Sequence, residues 1–353
     1  MILITGGAGY IGRHLVQACI DTGQSCAVVD DLSNGSHDSL PQDIPFFRAC
    51  ISDGTALRGI LRSLQVKTVV HLAARTSVSE SIEMPMKYYD TNVNGTRVVA
   101  TACLVEGVSR LIYASTAAVY GVPATREVTE DSPTTPVSPY GRSKLAAEWI
   151  LSGIAQAEQL RTISLRFFNV AGGQVLNETR TGHRAAPHLL AAVSRVAFGD
   201  QPYLEIFGDD YDTHDGTCIR DFIHVRDLCS AILLASKGGA DNESRLNIGA
   251  GHGISVREIV SAAENQIGAR LPCLIRPRRP GDVASIVANA QRLRTLGWRP
   301  QHSSLPDLIG LVRDLVGERD DNYSGQKFVQ TNIRRPRVPF PWHNTPDSAA
   351  SDP

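Results

Sequence analysis

Short apolar runs rich in branched residues alternate with amphipathic stretches along the first half of the chain. The helical patterns cover residues 10–22, 54–64, 86–106 and 140–159. The apolar runs between them are ILIT (2–5), CAVVD (26–30), TVVHLAA (68–74), RLIYAS (110–115) and TISLRFF (162–168). Continuous apolar strands that alternate with helices are typical of βαβ units and of a parallel sheet covered on both faces. The pattern therefore predicts an α/β fold built on a doubly wound parallel sheet.

The second half of the chain has a less regular pattern. A polar, glycine-rich stretch after residue 170 leads to strands at 203–208 and 245–249, with a charged loop after the first of them. Helices are predicted at 187–199, 225–236 and 255–267. We therefore expect three parts: residues 1–170 with later segments returning to them, a smaller mixed α/β lobe in 171–317, and a proline-rich irregular tail in 318–353. The tail is either loosely ordered or a docking arm for a second subunit.

Composition and charge exclude several classes of protein. The formal net charge is −1 and 42% of the residues are hydrophobic, which is typical of a soluble globular protein. No strong field attracts nucleic acid or anionic lipid, and no run of 18 apolar residues predicts a membrane span. The seven cysteines form no C-x-x-C pair, which fits reduced thiols in the cytoplasm. The acidic stretch GDDYDTHDGT lacks the glycine and glutamate spacing of a calcium loop, so we expect no metal.

A glycine loop follows the first predicted strand. Gly6, Gly9 and Gly12 are spaced three apart in TGGAGYIG, directly before a predicted helix. Glycine permits a tight turn and a close approach to a pyrophosphate, which the helix N-terminus then faces with free N–H groups. Asp30 ends the next strand, where a carboxylate binds an adenosine ribose and repels a 2′-phosphate. The sequence therefore predicts a Rossmann-type domain that binds NAD rather than NADP.

The stretch SPYGRSK begins the helix predicted at 140–159. Ser138 is a candidate N-cap, and Tyr140 and Lys144 are four residues apart, on one helical face. An ammonium and the helix N-terminus both favour the phenolate form of a tyrosine, which then serves as a general base. Ser115 and Thr116 end a strand, so both hydroxyls are expected at the same site.

The chain resembles the extended short-chain dehydrogenase/reductases, and within them the UDP-glucose (UDP-galactose) 4-epimerase family. The resemblance covers residues 1–317, and its most specific block is LEIFGDDYDTHDGTCIRDFIHV. The other matching pieces are TGGAGYIG, VVDDLSNG, VVHLAA, SVSES, YYDTNVNGT, STAAVYG, SPYGRSK, LRFFNVAG, LNIGAG and RPRRPGDVA. It implies a homodimeric enzyme that interconverts UDP-glucose and UDP-galactose through transient NAD-dependent oxidation at C4.

The resemblance also implies a role for each matching residue. Catalysis is implied for Tyr140 as the base, with Lys144 and Thr116 beside it. The residues implied to bind NAD are Gly6, Gly9, Tyr10, Ile11, Gly12, Asp30, Asp31, Asn34, Gly35, Ile51, Leu72, Ala73, Thr76, Asn92, Ser115, Tyr140, Lys144 and Phe168. The residues implied to bind the UDP-sugar are Thr116, Asn169, Arg184, His188, Leu189, Phe207, Arg220, Arg279 and Asp282.

Some positions depart from the family pattern or leave alternatives open. Threonine stands at 116 where the family usually has serine, and Cys50 replaces an aspartate that recognises adenine. Ala117 and Ala118 stand where sugar-nucleotide dehydratases need an acid pair and where decarboxylases need a glutamate, which counts against both. A non-catalytic NAD-binding protein of the same fold is the remaining alternative, although it would not need Tyr140, Lys144 and Thr116 together.

The preferred sugar stays open at two positions. Ile286 occupies the place that limits bulk at C2 in the family, and its middling size predicts weak or no turnover of UDP-N-acetylglucosamine. Arg184 resembles an arginine that holds the carboxylate in UDP-glucuronate 4-epimerases, so a UDP-glucuronate/UDP-galacturonate 4-epimerase is the alternative. Arg180 and Arg184 are otherwise ordinary solvated loop residues.

Overall fold

The computed structural model describes residues 1–157, 160–173, 189–238, 243–279 and 281–310. The strands are β1 (Ile2–Thr5), β2 (Cys26–Asp30), β3 (Phe46–Arg48), β4 (Thr68–His71), β5 (Arg110–Thr116), β6 (Glu127–Val128), β7 (Arg161–Phe167), β8 (Asn169–Ala171), β9 (Leu204–Phe207), β10 (Ile219–His224), β11 (Glu243–Ile248), β12 (Gly253–Ser255), β13 (Cys273–Arg276) and β14 (Ser285–Ala288). The α-helices are α1 (Tyr10–Asp21), α2 (Gly54–Ser63), α3 (Val78–Glu83), α4 (Pro85–Tyr88), α5 (Gly95–Val105), α6 (Pro139–Ala157), α7 (Leu189–Ala197), α8 (Val225–Lys237), α9 (Val256–Ile267) and α10 (Gln291–Thr295).

The main sheet of the described residues has seven parallel strands in the order β11-β7-β5-β4-β1-β2-β3. The order reverses between β1 and β4, so ligands are expected at the carboxyl ends of these strands. Successive residues of one strand point to opposite faces. Ile4 and Val28 pack in a cluster with α1 and α8, whereas Leu3 and Val29 pack in one with α2, α5 and α6. Burial on both faces explains the apolar runs, and the predicted doubly wound sheet is confirmed.

Two segments from late in the chain return to the main sheet. Strand β11 pairs in parallel with β7 and forms the edge of the sheet. Helix α8 contributes Leu228 and Ile232 to the same apolar cluster as Leu15 of α1. The sheet is therefore completed only by residues that follow the first 170 in sequence.

A second sheet forms the base of the smaller mixed lobe. Strand β10 lies between β12 and β14, β6 pairs with β14, and β8 also pairs with β10. The prediction of a charged loop after residue 208 is wrong for residues 219–224, because they form β10. The charged residues of this strand make hydrogen bonds within the protein. Asp221 is fully buried and accepts hydrogen bonds from the backbone N–H groups of Ala250, Gly251 and Ala288.

The helix predicted at 86–106 is not continuous. Helix α4 is followed by a π-helical turn (Tyr89–Asn94) and then by α5. The predicted start of the helix behind Ser138 is confirmed, because α6 begins at Pro139 and Gly141 N–H donates to Ser138 Oγ at 3.1 Å. Within the described ranges no helix is both long enough and apolar enough to cross a membrane. The proline-rich tail lies outside the described residues.

Candidate active site

Several chain segments meet at the carboxyl ends of the central strands. The glycine loop follows β1, Asp30 ends β2, Leu72 and Ala73 follow β4, and Thr116 ends β5. The loop touches the end of β4 directly, since a Cβ added at Gly6 would lie 2.6 Å from Ala73 N. Residues that are far apart in sequence are therefore brought to one edge of the sheet, at the reversal of strand order.

The glycine loop contains glycines that are needed for two different reasons. A Cβ on Gly12 would lie 2.4 Å from Gly6 O and 2.5 Å from Gly7 Cα, and Gly6 has a φ of +71°. Gly9, the N-cap of α1, is different, because among the described residues its Cβ would meet only Gly6 O, at an ordinary 3.4 Å. Within the part of the chain that the structure describes, no side chain caps α1 at this end. The protein's own packing thus leaves a space before Gly9 that suits the pyrophosphate of a dinucleotide.

Asp30 links the end of β2 to the glycine loop. Its carboxylate accepts from Ala8 N–H at 3.0 Å and from Leu32 N–H at 2.8 Å. Burial raises the pKa of Asp30, while these two hydrogen bonds act in the opposite direction. Each carboxylate oxygen keeps a second lone pair for a ribose hydroxyl. The other residues predicted to contact the cofactor here are Asp31 and Asn34, both exposed, and Gly35, which is buried.

Asn92 organises one wall of this site. The π-helical turn presents its buried amide, which accepts from Arg75 N–H at 2.8 Å and donates to Arg75 O at 3.0 Å and to Ser143 Oγ at 2.9 Å. It therefore fastens the loop after β4 to α6, next to Thr76, which is exposed. The other residues predicted on this wall are Ile51, which is buried, and Leu72 and Ala73, which are half-buried.

Tyr140, Lys144 and Thr116 come together between α6 and the end of β5. Tyr140 is half-buried, and its phenol lies near the Thr116 side chain. Lys144 lies one helical turn further along α6 and is only 2% exposed. Its ammonium donates to Ala114 O at 2.8 Å and lies 4.8 Å from the ring centroid of Tyr113. The spacing in SPYGRSK therefore places a phenol above a buried cation.

The protein alone does not make Tyr140 a base at neutral pH. Burial raises the pKa of Tyr140 above its usual value, although the neighbouring Thr116 side chain acts to lower it. Burial also lowers the pKa of Lys144 to about 7, with Glu148 opposing that shift. A further positive charge would favour the phenolate. Tyr140, Lys144 and Thr116 therefore fit oxidised NAD, because its nicotinamide ring carries such a charge.

Ser115 does not share the site through its hydroxyl. Ser115 lies on the strand face that α6 covers, and its Oγ donates to Glu148 Oε1 at 2.5 Å. The expectation that both strand-end hydroxyls enter one site is therefore wrong for this side chain. Glu148 also binds Arg166, at 2.7 Å and 3.1 Å, and both side chains are almost fully buried. Sequence reasoning missed this pair, because its members are 18 residues apart and lie on different elements.

The basic residues predicted to bind the diphosphate lie in the smaller lobe. Arg220 is half-buried; it donates to Val283 O at 2.7 Å and lies 3.5 Å from the carboxylate of Asp282. Arg279 is exposed, and its guanidinium carbon lies 3.6 Å from the ring centroid of Phe207. Two guanidinium groups, each fixed by a neighbour, suit a diphosphate by charge and geometry.

The remaining residues predicted to contact the nicotinamide or the sugar lie in β8, β14, α7 and the residue before β8. Phe168 and Ile286 are buried in one apolar cluster. Asn169 is exposed at the start of β8, and Leu189 is half-buried at the start of α7. Among the residues that the structure describes, no group of three or more His, Cys, Asp or Glu could hold a metal ion. The two remaining predicted substrate residues, Arg184 and His188, lie outside the described residues.

Comparisons with known proteins agree on one family. Residues 2–249 match the model of the NAD dependent epimerase/dehydratase family. The UDP-glucose 4-epimerase of Azospirillum brasilense is 41% identical over 313 residues, which are 87% of this chain and 89% of that protein. The UDP-glucose 4-epimerase of Halalkalibacterium halodurans is 39% identical and covers 92% of this chain and 97% of its own length.

Solved structures give the same result. The UDP-glucose 4-epimerase of Stenotrophomonas maltophila, with bound NAD and formylated UDP-arabinopyranose, has a TM-score of 0.83 and 34% identity. It covers 91% of this chain and 99% of its own. The enzyme from Bifidobacterium longum, in complex with NAD+ and UDP, has a TM-score of 0.82 and 30% identity, and covers 91% of this chain and 99% of its own.

Proposed function

The chain belongs to the NAD dependent epimerase/dehydratase family, and from that premise we propose that it interconverts UDP-glucose and UDP-galactose by inverting C4. The observation that carries this proposal is the Tyr140 phenol, which lies beside Thr116 and one helical turn from the buried Lys144. A phenol, a hydroxyl and an ammonium at the carboxyl ends of the strands suit removal and return of a hydroxyl proton. Ala117 and Ala118 supply no acid for loss of water.

The protein's residues divide the work between binding and proton transfer. Arg220 and Arg279 hold the diphosphate, so that the sugar stays tethered while either of its faces is presented. Tyr140 takes the proton from the 4-hydroxyl and later returns it, and Thr116 holds that hydroxyl in line. Lys144 keeps a positive charge next to the phenolate that forms.

The glycine loop, Asp30 and the wall held by Asn92 are the residues that would hold NAD. When bound, NAD supplies the acceptor and donor of hydride and, in its oxidised form, a positive charge. Because the cofactor ends each cycle as it began, we expect it to copurify with the protein. All seven cysteines are free thiols, which supports our assignment of the protein to the cytoplasm.

Product analysis tests the proposed function. Purified protein is given UDP-glucose, UDP-glucuronate and UDP-N-acetylglucosamine in parallel, without added NAD, and the products are identified by chromatography and NMR. We expect UDP-galactose from UDP-glucose, and little turnover of UDP-N-acetylglucosamine because Ile286 restricts the space at C2. Conversion of UDP-glucuronate alone would favour the alternative that Arg184 implies, a UDP-glucuronate/UDP-galacturonate 4-epimerase. No conversion with NAD added would contradict the epimerase assignment.

We also propose a homodimer formed through α5 and α6. Both helices pack on the same face of the main sheet, yet their outer sides carry Val105 and Trp149, which are 54% and 64% exposed. Exposed apolar side chains on two helices of one sheet face suit an interface, and tryptophan is enriched among the residues that contribute most to binding at interfaces.

Trp149→Glu should therefore convert the dimer to a monomer in light scattering after size exclusion. Val122, which is 63% exposed outside these helices, provides the matched control. Val122→Glu should leave the dimer unchanged. A monomeric wild-type protein, or a dimer that survives in the Trp149 variant, would contradict this interface.

A further inference from the structure

A buried carboxylate lies directly beneath the Tyr140–Lys144 pair. Glu148 follows Lys144 by four residues on α6, and its side chain is 1% exposed. It accepts from Ser115 Oγ at 2.5 Å and from Arg166, whose Nη2 and Nε lie 2.7 and 3.1 Å from its two oxygens. Arg166 in turn donates to Tyr120 Oη at 3.0 Å. The carboxylate is thus held rigidly by a bidentate arginine.

Lys144 needs such an anion because its surroundings oppose a charge. Its ammonium is buried, and the hydrogen bond that it makes goes to Ala114 O. His71 is fully buried nearby, and burial together with the charge on Lys144 lowers its pKa to about 3, so it stays neutral. The interaction that raises the pKa of Lys144 comes from Glu148. The groups that face Lys144 or Glu148 from the surrounding elements are His71, Tyr113, Arg166 and Arg245. Tyr140 lies one turn from Lys144 on the same helix.

We propose that Glu148, which lies below the reacting groups, is a positioning residue that keeps Lys144 protonated and thereby sets the pH range of catalysis. This inference rests on the proposed function. The charges of Glu148, Arg166 and Lys144 sum to +1 beneath Tyr140. Removal of the carboxylate raises that sum to +2, and the added positive potential disfavours both the ammonium of Lys144 and the neutral phenol.

The proposal predicts a displaced pH profile rather than a mere loss of activity. Catalysis needs Tyr140 deprotonated and Lys144 protonated, so kcat/KM should follow a bell-shaped profile. In Glu148→Gln both limbs should move toward acid pH by about one unit, the lower end of the shift expected from a nearby charge. A purely structural role would lower the bell at every pH and leave both limbs in place.

Two further variants keep the test decisive. Glu130 is also buried in the same network, where it accepts from Asn247 N–H at 2.9 Å and its backbone carbonyl accepts from Arg166. Glu130→Gln should therefore lower the melting temperature without moving the limbs. Glu148→Asp keeps the negative charge but holds it on a side chain that is shorter by one methylene group, so a smaller shift of both limbs toward acid pH is expected. This variant still tests the proposal if Glu148→Gln does not fold.

A second readout separates this inference from the proposed function. Tyrosinate absorbance of the NAD-free protein is titrated in the wild type and in Glu148→Gln, each with and without Tyr140→Phe, so that the difference isolates Tyr140. The midpoint of Tyr140 should fall in Glu148→Gln. A wild type that converts no UDP-hexose would overturn the proposed function. The titration by itself would then test the role of Glu148. Limbs and midpoint both unchanged in the Glu148 variants would overturn the inference.

Discussion

Tyr140→Phe is expected to reduce kcat about 10²–10⁴-fold, the range that a positioned general base contributes. The change removes one oxygen atom, the proposed acceptor of the sugar hydroxyl proton, which lies near Thr116. The ring remains, so its packing against Tyr88, at 6.4 Å between centroids, is kept. The affinity for NAD and the melting temperature should change little. Initial rates with UDP-glucose, together with a titration of NAD, measure the effect.

Tyr88→Phe is the matched control for this prediction. It removes the same atom from a ring that contacts Tyr140, and its hydroxyl donates to Glu80 at 2.7 Å, away from the reacting groups. Loss of that bond should cost about 1 kcal/mol of stability and leave kcat within a few-fold. If Tyr140→Phe keeps kcat within threefold of the wild type, Tyr140 is not the base.

Gly12→Ala and Gly9→Ala should fail in different ways, although both lie in one loop. The Cβ on Gly12 would meet backbone atoms at 2.4 and 2.5 Å, so the loop must move. We expect a loss of about 1–3 kcal/mol or more in the free energy of unfolding, together with loss of NAD binding. The methyl on Gly9 meets the protein at an ordinary distance, so stability should hold while the affinity for NAD falls about tenfold or more.

Denaturant unfolding of the NAD-free protein and calorimetric titration with NAD separate these two effects. Gly59→Ala serves as the control, since a Cβ there has open space on α2 and alanine is the better helix former. A Gly9 variant that binds NAD normally would show that the space before α1 does not hold the pyrophosphate.

The fold of the first half could be predicted because its strands are buried on both faces. Strands β1 and β2 have the bounds that ILIT and CAVVD predict, since every residue in them is apolar or satisfied by its neighbours. Strand β10 could not be found in this way. Arg220 and Asp221 within it resemble loop residues, and the backbone donors that satisfy Asp221 come from positions 29 to 67 residues further along the chain. Local patterns carry no information about partners at that distance.

The site was predictable where one residue type has one chemical use. The glycine spacing, the Tyr140–Lys144 pair and the capping serine at 138 each have a local signature, and the structure has the corresponding local geometry. Glu148 has no such signature, because a glutamate in KLAAEWI looks like an ordinary helical surface residue. Only the tertiary fold, which brings Arg166 and Ser115 to it, makes it a buried ion-pair partner.

The return of β11 to the edge of the main sheet has a consequence for synthesis on the ribosome. Strand β7 is translated about 80 residues before β11, so its edge stays unpaired while the smaller lobe is being made. Open strand edges invite pairing with other chains. Asn247, which β11 carries, also accepts from Tyr120 Oη at 2.6 Å and donates to Val128 O at 3.0 Å. A nascent chain that stalls before residue 248 therefore has an unpaired strand edge, and its buried polar groups lack the hydrogen bonds that Asn247 makes. Both features expose it to aggregation and favour binding by chaperones.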